Sequence, residues 1–208
     1  MQKLEEKYID AFTEMVNIGV GQAADTLNQI TKSHIVLHVP VVKIIELCHL
    51  QKELQLLVEE NHAAINLNFT KDLNGTAKLI FPTSSATKLV KLFVGSFDDS
   101  YEDTILDDLR ISALTEIGNV IINTIIGTIS NELGIDIAYT VPEFREGEID
   151  EVVEDKNNEA NFMILLCQAN FKADEVDISG SLIIYFNIDR FNEFINILDV
   201  YYKRISIS

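Results

Sequence analysis

The sequence predicts an α+β fold, a pseudo-two-fold tandem duplication in which long motif-bearing helices pack on a largely antiparallel β-sheet. Three observations carry that expectation. First, one eight-residue pattern occurs twice, as Asp10-Ala-Phe-Thr-Glu14-Met-Val-Asn17 and as Ser112-Ala-Leu-Thr-Glu116-Ile-Gly-Asn119. A spacing of 102 residues relates Asp10 to Ser112, Glu14 to Glu116, Asn17 to Asn119 and, further on, Pro40 to Pro142. Second, the order of helical and strand patterns after each copy is the same. Third, the strand patterns are joined by short turns, which favours antiparallel pairing with helices laid over the sheet. Two fused copies commonly close into one body, as two-fold dimers do. Residues 1–208 are therefore expected to form a single domain of two homologous halves, about 1–103 and 104–208.

In the first half, residues 5–31 read as a helix. Ile9, Phe12, Val16, Ala23, Leu27 and Ile30 keep a spacing of three to four on one side, while Glu6, Asp10, Glu14, Asn17, Gly21 and Asn28 fall on another. Gly19 and Gly21 weaken the middle and point to a kink or a close backbone approach. His34–Val39 reads as a strand with Pro40 at its end, where a missing N–H does least harm. Glu53–Val58 and Ala63–Phe69 are further strands, Asp72–Gly75 is a turn into the strand Thr76–Phe81, and Ser84–Val94 is a short amphipathic helix.

From Tyr101 the series restarts. Leu106–Leu133 is the longest helical pattern, with Gly134 as its stop. Ile135–Thr140 reads as a strand closed by Pro142, and the acidic Glu143–Glu159 as an exposed loop. Asn161–Phe171 and Ser181–Phe186 are strands flanking a turn at Asp177–Gly180, and Arg190–Tyr202 is a closing helix. Asn68-Phe69 maps onto Asn170-Phe171 at the spacing of 102, and Asp72 and Gly75 onto Asp177 and Gly180 at 105.

A chain of 208 residues, 47% hydrophobic and 24% charged, is long and apolar enough to bury a substantial core. A formal net charge of −17 argues against nucleic-acid binding and against attraction to anionic lipid. The start, Met1-Gln-Lys-Leu-Glu-Glu-Lys-Tyr8, does not read as a secretory signal, and no uninterrupted apolar run approaches the roughly 20 residues that span a bilayer. A cytoplasmic location without membrane insertion is expected. Cys48 and Cys167 are too few for a disulfide framework or a zinc site, and His34, His38, His49 and His62 follow no zincin spacing, so no metal is expected in this chain.

Asp108, Ser112, Glu116, Asn119 and Asn123 follow one another at spacings of four, four, three and four, which makes one polar stripe on a helix. Leu109, Ala113, Leu114, Ile117, Val120, Ile121, Ile125 and Ile129 between them are expected in the core. A single such stripe is the solvated side of an amphipathic helix. Its recurrence with a distant proline, while much of the surrounding sequence has diverged, singles out Glu14, Asn17, Glu116 and Asn119. A Glu and an Asn three apart stand on adjacent turns and reach one bound group. The carboxamide offers donors and an acceptor together and is a poor base, so it orients water rather than deprotonating it. The carboxylate can pair with a lysine or arginine of a partner. With no Ser-His pair, no reactive-cysteine setting and no glycine-rich phosphate loop, such a site completes an active centre that belongs to another molecule.

On these residues the chain resembles the CheC family of bacterial and archaeal chemotaxis phosphatases, related to CheX and to the flagellar switch protein FliY. The resemblance covers essentially the whole chain, and its wording is closest at Thr115-Glu-Ile-Gly-Asn119 and Val16-Asn-Ile-Gly19. Val16, Val20 and Gln22 stand where the family tends to carry Gly, Ala and Asn. The resemblance implies hydrolysis of the aspartyl phosphate of the receiver protein CheY. By similarity, Glu14 and Glu116 would pair with the receiver's lysine while Asn17 and Asn119 place the attacking water. The Mg²⁺ would be the receiver's, with no cofactor intrinsic to this chain. Asp10 and Ser112, one turn before the glutamates, are candidate partner contacts, and Pro40 and Pro142 are structural. The alternatives are a regulator that binds the receptor deamidase CheD and a flagellar-switch scaffold.

Overall fold

The computed structural model describes residues 6–31, 35–46, 49–50, 53, 61–94, 103–153, 162–173 and 176–205. In chain order the elements are α1 (Glu6–Thr31), β1 (Ile35–Glu46), β2 (His62–Lys71), β3 (Gly75–Pro82), α2 (Thr83–Val94), α3 (Asp103–Leu133), β4 (Ile137–Tyr139), β5 (Glu143–Gly147), α4 (Ile149–Val153), β6 (Phe162–Ala173), β7 (Val176–Asn187) and α5 (Ile188–Ile205). The expected strand Glu53–Val58 lies outside the described residues apart from Glu53, which is helical. Gly134 ends α3 in the left-handed region at φ 69°, a conformation that glycine adopts without a Cβ penalty.

The strands form one sheet in the order β1-β6-β7-β3-β2, with β4 and β5 end to end along the outer side of β2, and every described pairing is antiparallel. Alternation along the strands divides the apolar residues between two faces. Ile65, Leu67, Phe69, Leu79, Phe81, Leu165, Cys167 and Leu182 share one core with α1, α2, α3 and α5. Ala64, Ile80, Ile164, Leu166, Ile183 and Tyr185 join Leu50, Val152 and Val153 on the opposite side. Lys78, in the middle of β3, is buried there; its ammonium donates to the carbonyl of Val153 at 2.9 Å and lies 5.0 Å from the centre of the Tyr185 ring. The α+β class and the antiparallel sheet are those expected from the sequence.

The pairing registers express the duplication. The first strand of each half pairs with the second strand of the other half: β1 with β6, and β4 and β5 with β2. Ile35 opposite Ala173 corresponds, at the spacing of 102, to Ile137 opposite Lys71. Both ladders then take in one extra residue. Three steps from His38 to Val41 face two on β6, and four steps from Tyr139 to Glu143 face three on β2. Pro40 and Pro142 lie inside these two irregularities. Pro40 therefore does not close its strand, as expected, but sits within β1. An edge strand at a break in register has no ladder bond there for proline to lose.

Further expectations change. Asp177–Gly180 is not a turn: these residues extend β7, with Ile178 opposite Phe171. In the first hairpin Phe69 faces Gly75, so the counterpart of Gly75 is Ile178, at a spacing of 103, and not Gly180. Full pairing with β6 overrides the local turn preference of Asp and Gly. The acidic segment from Glu143 is not a continuous loop, because it carries β5 and α4. An edge position beside β2 tolerates charged strand residues, and Val152 and Val153 anchor α4 in the second core. Leu109 is 41% exposed, since it lies three residues before Ser112 and seven before Glu116 and shares their outward side, and Ile30, in the last turns of α1, is 54% exposed.

At the centre, Leu79 of β3 faces Leu182 of β7, and both are buried. At the spacing of 103 these are counterparts, so the pseudo-two-fold axis passes between them. On one side of this sheet α1 and α3 pack against each other. By length and composition Asp107–Leu133 would pass for a membrane-crossing helix, but Leu114, Ile117, Ile121, Ile122, Ile125 and Ile129 are buried in the core.

The close approach expected at the glycines of α1 occurs at Gly19, within a helix that runs unbroken. A Cβ there would stand 2.8 Å from Ile125 Cα, whereas one at Gly21 would meet nothing within 4 Å. The two glycines should therefore respond oppositely to alanine. Gly19→Ala is expected to lower the unfolding free energy by about 1–3 kcal/mol, because backbone must move. Gly21→Ala should raise it by about 0.5–1 kcal/mol, because only helix propensity changes. Urea denaturation of both variants measures this; equal effects would contradict the helix crossing.

Candidate functional site

The two motif copies lie on α1 and α3. Burial of Phe12, Met15, Val16 and Val20 turns Asp10, Glu14 and Asn17 outward, and all three are exposed. Burial of Leu114, Ile117 and Ile121 does the same for Ser112 and Glu116, which are exposed, and for Asn119, which is half-buried. In both copies the motif threonine folds back onto its own helix. Thr13 Oγ1 donates to the carbonyl of Ile9 and Thr115 Oγ1 to that of Ile111, each at 2.7 Å. The hydroxyl is thereby occupied, and the outward side presents carboxylate and carboxamide.

Packing beneath the motifs differs between the copies in a complementary way. Gly118 lies against β2, where a Cβ would come within 2.7 Å of Ile65. Its counterpart is Val16, and the counterpart of Ile65 is Cys167; both are fully buried in the same core. Gly118 and Ile65 set a small helix residue on a large strand residue, and the equivalent positions, Val16 and Cys167, reverse the sizes. Burial pushes the Cys167 thiol up to about 12, so it stays protonated and is no nucleophile at neutral pH. Where α1 and α3 cross, Gln22 Oε1 accepts from Thr128 Oγ1 at 3.0 Å.

The surroundings of the copies also differ. Glu14 and Asp10 border a groove with Lys7, Ala11, Tyr201 and Tyr202. Tyr8 donates to Asp199 at 2.7 Å, and Lys7 and Lys203 lie 3.9 and 3.0 Å from the same carboxylate, which fastens α5 to α1. That hydrogen bond raises the Tyr8 phenol and lowers the Asp199 carboxyl from their ordinary values. The Lys7 ammonium lies 4.7 and 5.5 Å from the centres of the Tyr8 and Tyr202 rings. The counterpart of Tyr8 is Arg110, which grips Glu146 of β5 through two bonds of 3.0 and 2.7 Å and is raised chiefly by that contact. Asn119 Oδ1 accepts from Asn123 Nδ2 at 2.7 Å. The counterpart of Asn123 is the exposed Gly21, and among the described residues no hydrogen bond reaches the Asn17 side chain.

The motif residues are thus presented as two outward stripes on adjacent helices, while Pro40 and Pro142 lie in the edges of the sheet. Sequence reasoning missed Tyr201 and Tyr202, which come to Glu14 from the far end of the chain with no local pattern to announce them.

No family model matches the chain. It is 26% identical over 140 residues to the CheY-P phosphatase CheC of Bacillus subtilis, covering 67% of this chain and 66% of that protein. It is 24% identical over 185 residues to the flagellar motor switch phosphatase FliY of the same organism, covering 88% of this chain but 47% of FliY. The chain therefore spans just under two thirds of one of these relatives and about half of the other. Among solved structures, Thermotoga maritima FliY superposes with a TM-score of 0.74 at 17% identity, over 96% of this chain and 100% of that one. The middle domain of FliM from H. pylori gives 0.68 at 10%, over 94% and 99%. A chain of the CheX-CheY-BeF3-Mg²⁺ complex from Borrelia burgdorferi gives 0.55 at 15%, over 84% and 97%. At such identities these likenesses establish the fold. With the sequence matches beside them, the chain is homologous to CheC and FliY.

Proposed function

We propose that this chain hydrolyses the aspartyl phosphate of a CheY-type receiver in the cytoplasm, using Glu14 with Asn17 and Glu116 with Asn119 as two sites. The observation that carries the reading is the duplicated Glu-Asn pair, outward on α1 and α3, with the intervening apolar residues buried beneath it. The relatives, one named as a CheY-P phosphatase and one as a flagellar motor switch phosphatase, and the fold shared with a chain of a CheX-CheY complex support it.

In this mechanism the receiver supplies the acyl phosphate, the Mg²⁺ and a lysine. Glu14 or Glu116 pairs with the lysine and sets the docking angle. Asn17 or Asn119 enters the receiver's site and holds a water in line with the phosphorus. The water oxygen bonds to phosphorus as the bond to the aspartyl oxygen breaks. Its proton passes to the phosphate, leaving aspartate and inorganic phosphate. Glutamine does the same positioning work in GTPases. About 2.7 kcal/mol of orientation corresponds to roughly a hundredfold in rate.

The fold likeness to FliM favours one alternative, a flagellar-switch scaffold without activity. A regulator that binds the deamidase CheD is the other; it would engage CheD and leave receiver phosphate intact.

Two experiments test the reading. Acyl-phosphate decay of a phosphorylated CheY-type receiver with Mg²⁺ should be accelerated by the natural chain, partly retained in Asn17→Ala and in Asn119→Ala, and lost in the double variant. Decay indifferent to the natural chain would overturn it. Glu14→Gln with Glu116→Gln should raise KM more than it lowers kcat, and the KM of the natural chain should rise with salt, because the contact is ionic. A KM unmoved by both changes would remove the glutamates from docking.

A further inference from the structure

We propose that Asn123 is a positioning residue for Asn119, and that Gly21 leaves Asn17 without the same support. This rests on the phosphatase reading above. Asn123 stands one turn after Asn119, where residues four apart on a helix meet, and its Nδ2 donates to Asn119 Oδ1 at 2.7 Å. The bond restrains a side chain that otherwise turns about two torsions. It also selects which end of the carboxamide faces the helix, with the oxygen held toward Asn123 and the NH₂ group turned away. One lone pair of Oδ1 and both N–H hydrogens stay available to a water. Asn123 is half-buried, and its own oxygen is enclosed without a described hydrogen-bond partner. The donor end is therefore the one it offers to Asn119.

The first copy lacks this device. Asn17 is exposed, and residue 21 is a glycine whose added Cβ would meet nothing within 4 Å. A side chain that must lose its rotamer freedom on entering a partner's site does so at a cost that prior ordering removes. An asparagine at position 21 has room to recreate the pair with Asn17.

The test uses both directions. With only the second copy active, in the Asn17→Ala background, Asn123→Ala should lower kcat about threefold to tenfold, the worth of one hydrogen bond. KM should hold, because docking is left to Glu116. With only the first copy active, in the Asn119→Ala background, Gly21→Asn should raise kcat by a similar factor. If Asn123→Ala misfolds, the Gly21→Asn arm still decides. Independently of activity, NMR of the side-chain amides should show slow exchange of the Asn123 NH₂ protons that Asn119→Ala abolishes. Acceleration by the natural chain that neither substitution alters would overturn this inference alone. Absence of Asn119-dependent protection would overturn the pairing itself. A natural chain that leaves receiver decay unchanged would overturn the phosphatase reading, and this inference with it.

Discussion

The antiparallel pairing of β3 with β7 joins the halves, and the rest of the arrangement depends on it. Leu79 opposite Leu182 puts each half's hairpin beside the other's, and the outer strands then exchange, β1 onto β6 and β4 with β5 onto β2. Hydrogen bonding across one continuous sheet thus commits both halves to one body. It also brings α1 and α3 together on the same face, in contact at Gly19 and Ile125. Two motifs 102 residues apart in sequence become neighbouring helical stripes for that reason. Neither half could bury its hydrophobic face alone in the same way, because each lends an edge strand to the other.

Within that frame the halves have diverged by compensation. Gly118 over Ile65 is answered by Val16 with Cys167, so bulk missing from one layer is present in the other and the helices keep their places on the sheet. Close packing makes such paired change necessary, since one methyl group too many or too few is felt throughout a core. The surroundings of the outward stripes are under no such constraint, and they differ although the Glu-Asn pair is the same in both. The first is walled by Lys7, Tyr201 and Tyr202, and the second is flanked by Arg110 with Glu146 and supported by Asn123.

Much of this was legible in the residues. Three-to-four spacing located α1 and α3 closely, because a buried helix face imposes a period that chance rarely sustains. The repeat announced the pseudo-symmetry and singled out Glu14, Asn17, Glu116 and Asn119. What was not legible was set by long-range pairing. Asp177 and Gly180 carry turn chemistry yet lie in a ladder, because β6 offers a complete row of partners. Pro40 looked like a strand terminator because sequence does not reveal that β1 is an edge strand with a bulge at that point. β5 was hidden in an acidic run, since charge is acceptable on an edge. The tyrosines beside Glu14 come from α5, and only the tertiary fold brings them there.

The most direct test of the central claim, that each outward stripe is a docking site for a receiver, is a calorimetric titration. A CheY-type receiver activated with beryllofluoride and Mg²⁺ would be titrated into the natural chain and into Glu14→Arg and Glu116→Arg. The account predicts two receivers per chain, falling to one in either variant, because reversing one charge should repel the receiver's lysine at that stripe alone. A stoichiometry that both variants leave unchanged would contradict it and move the receiver contact elsewhere on the molecule.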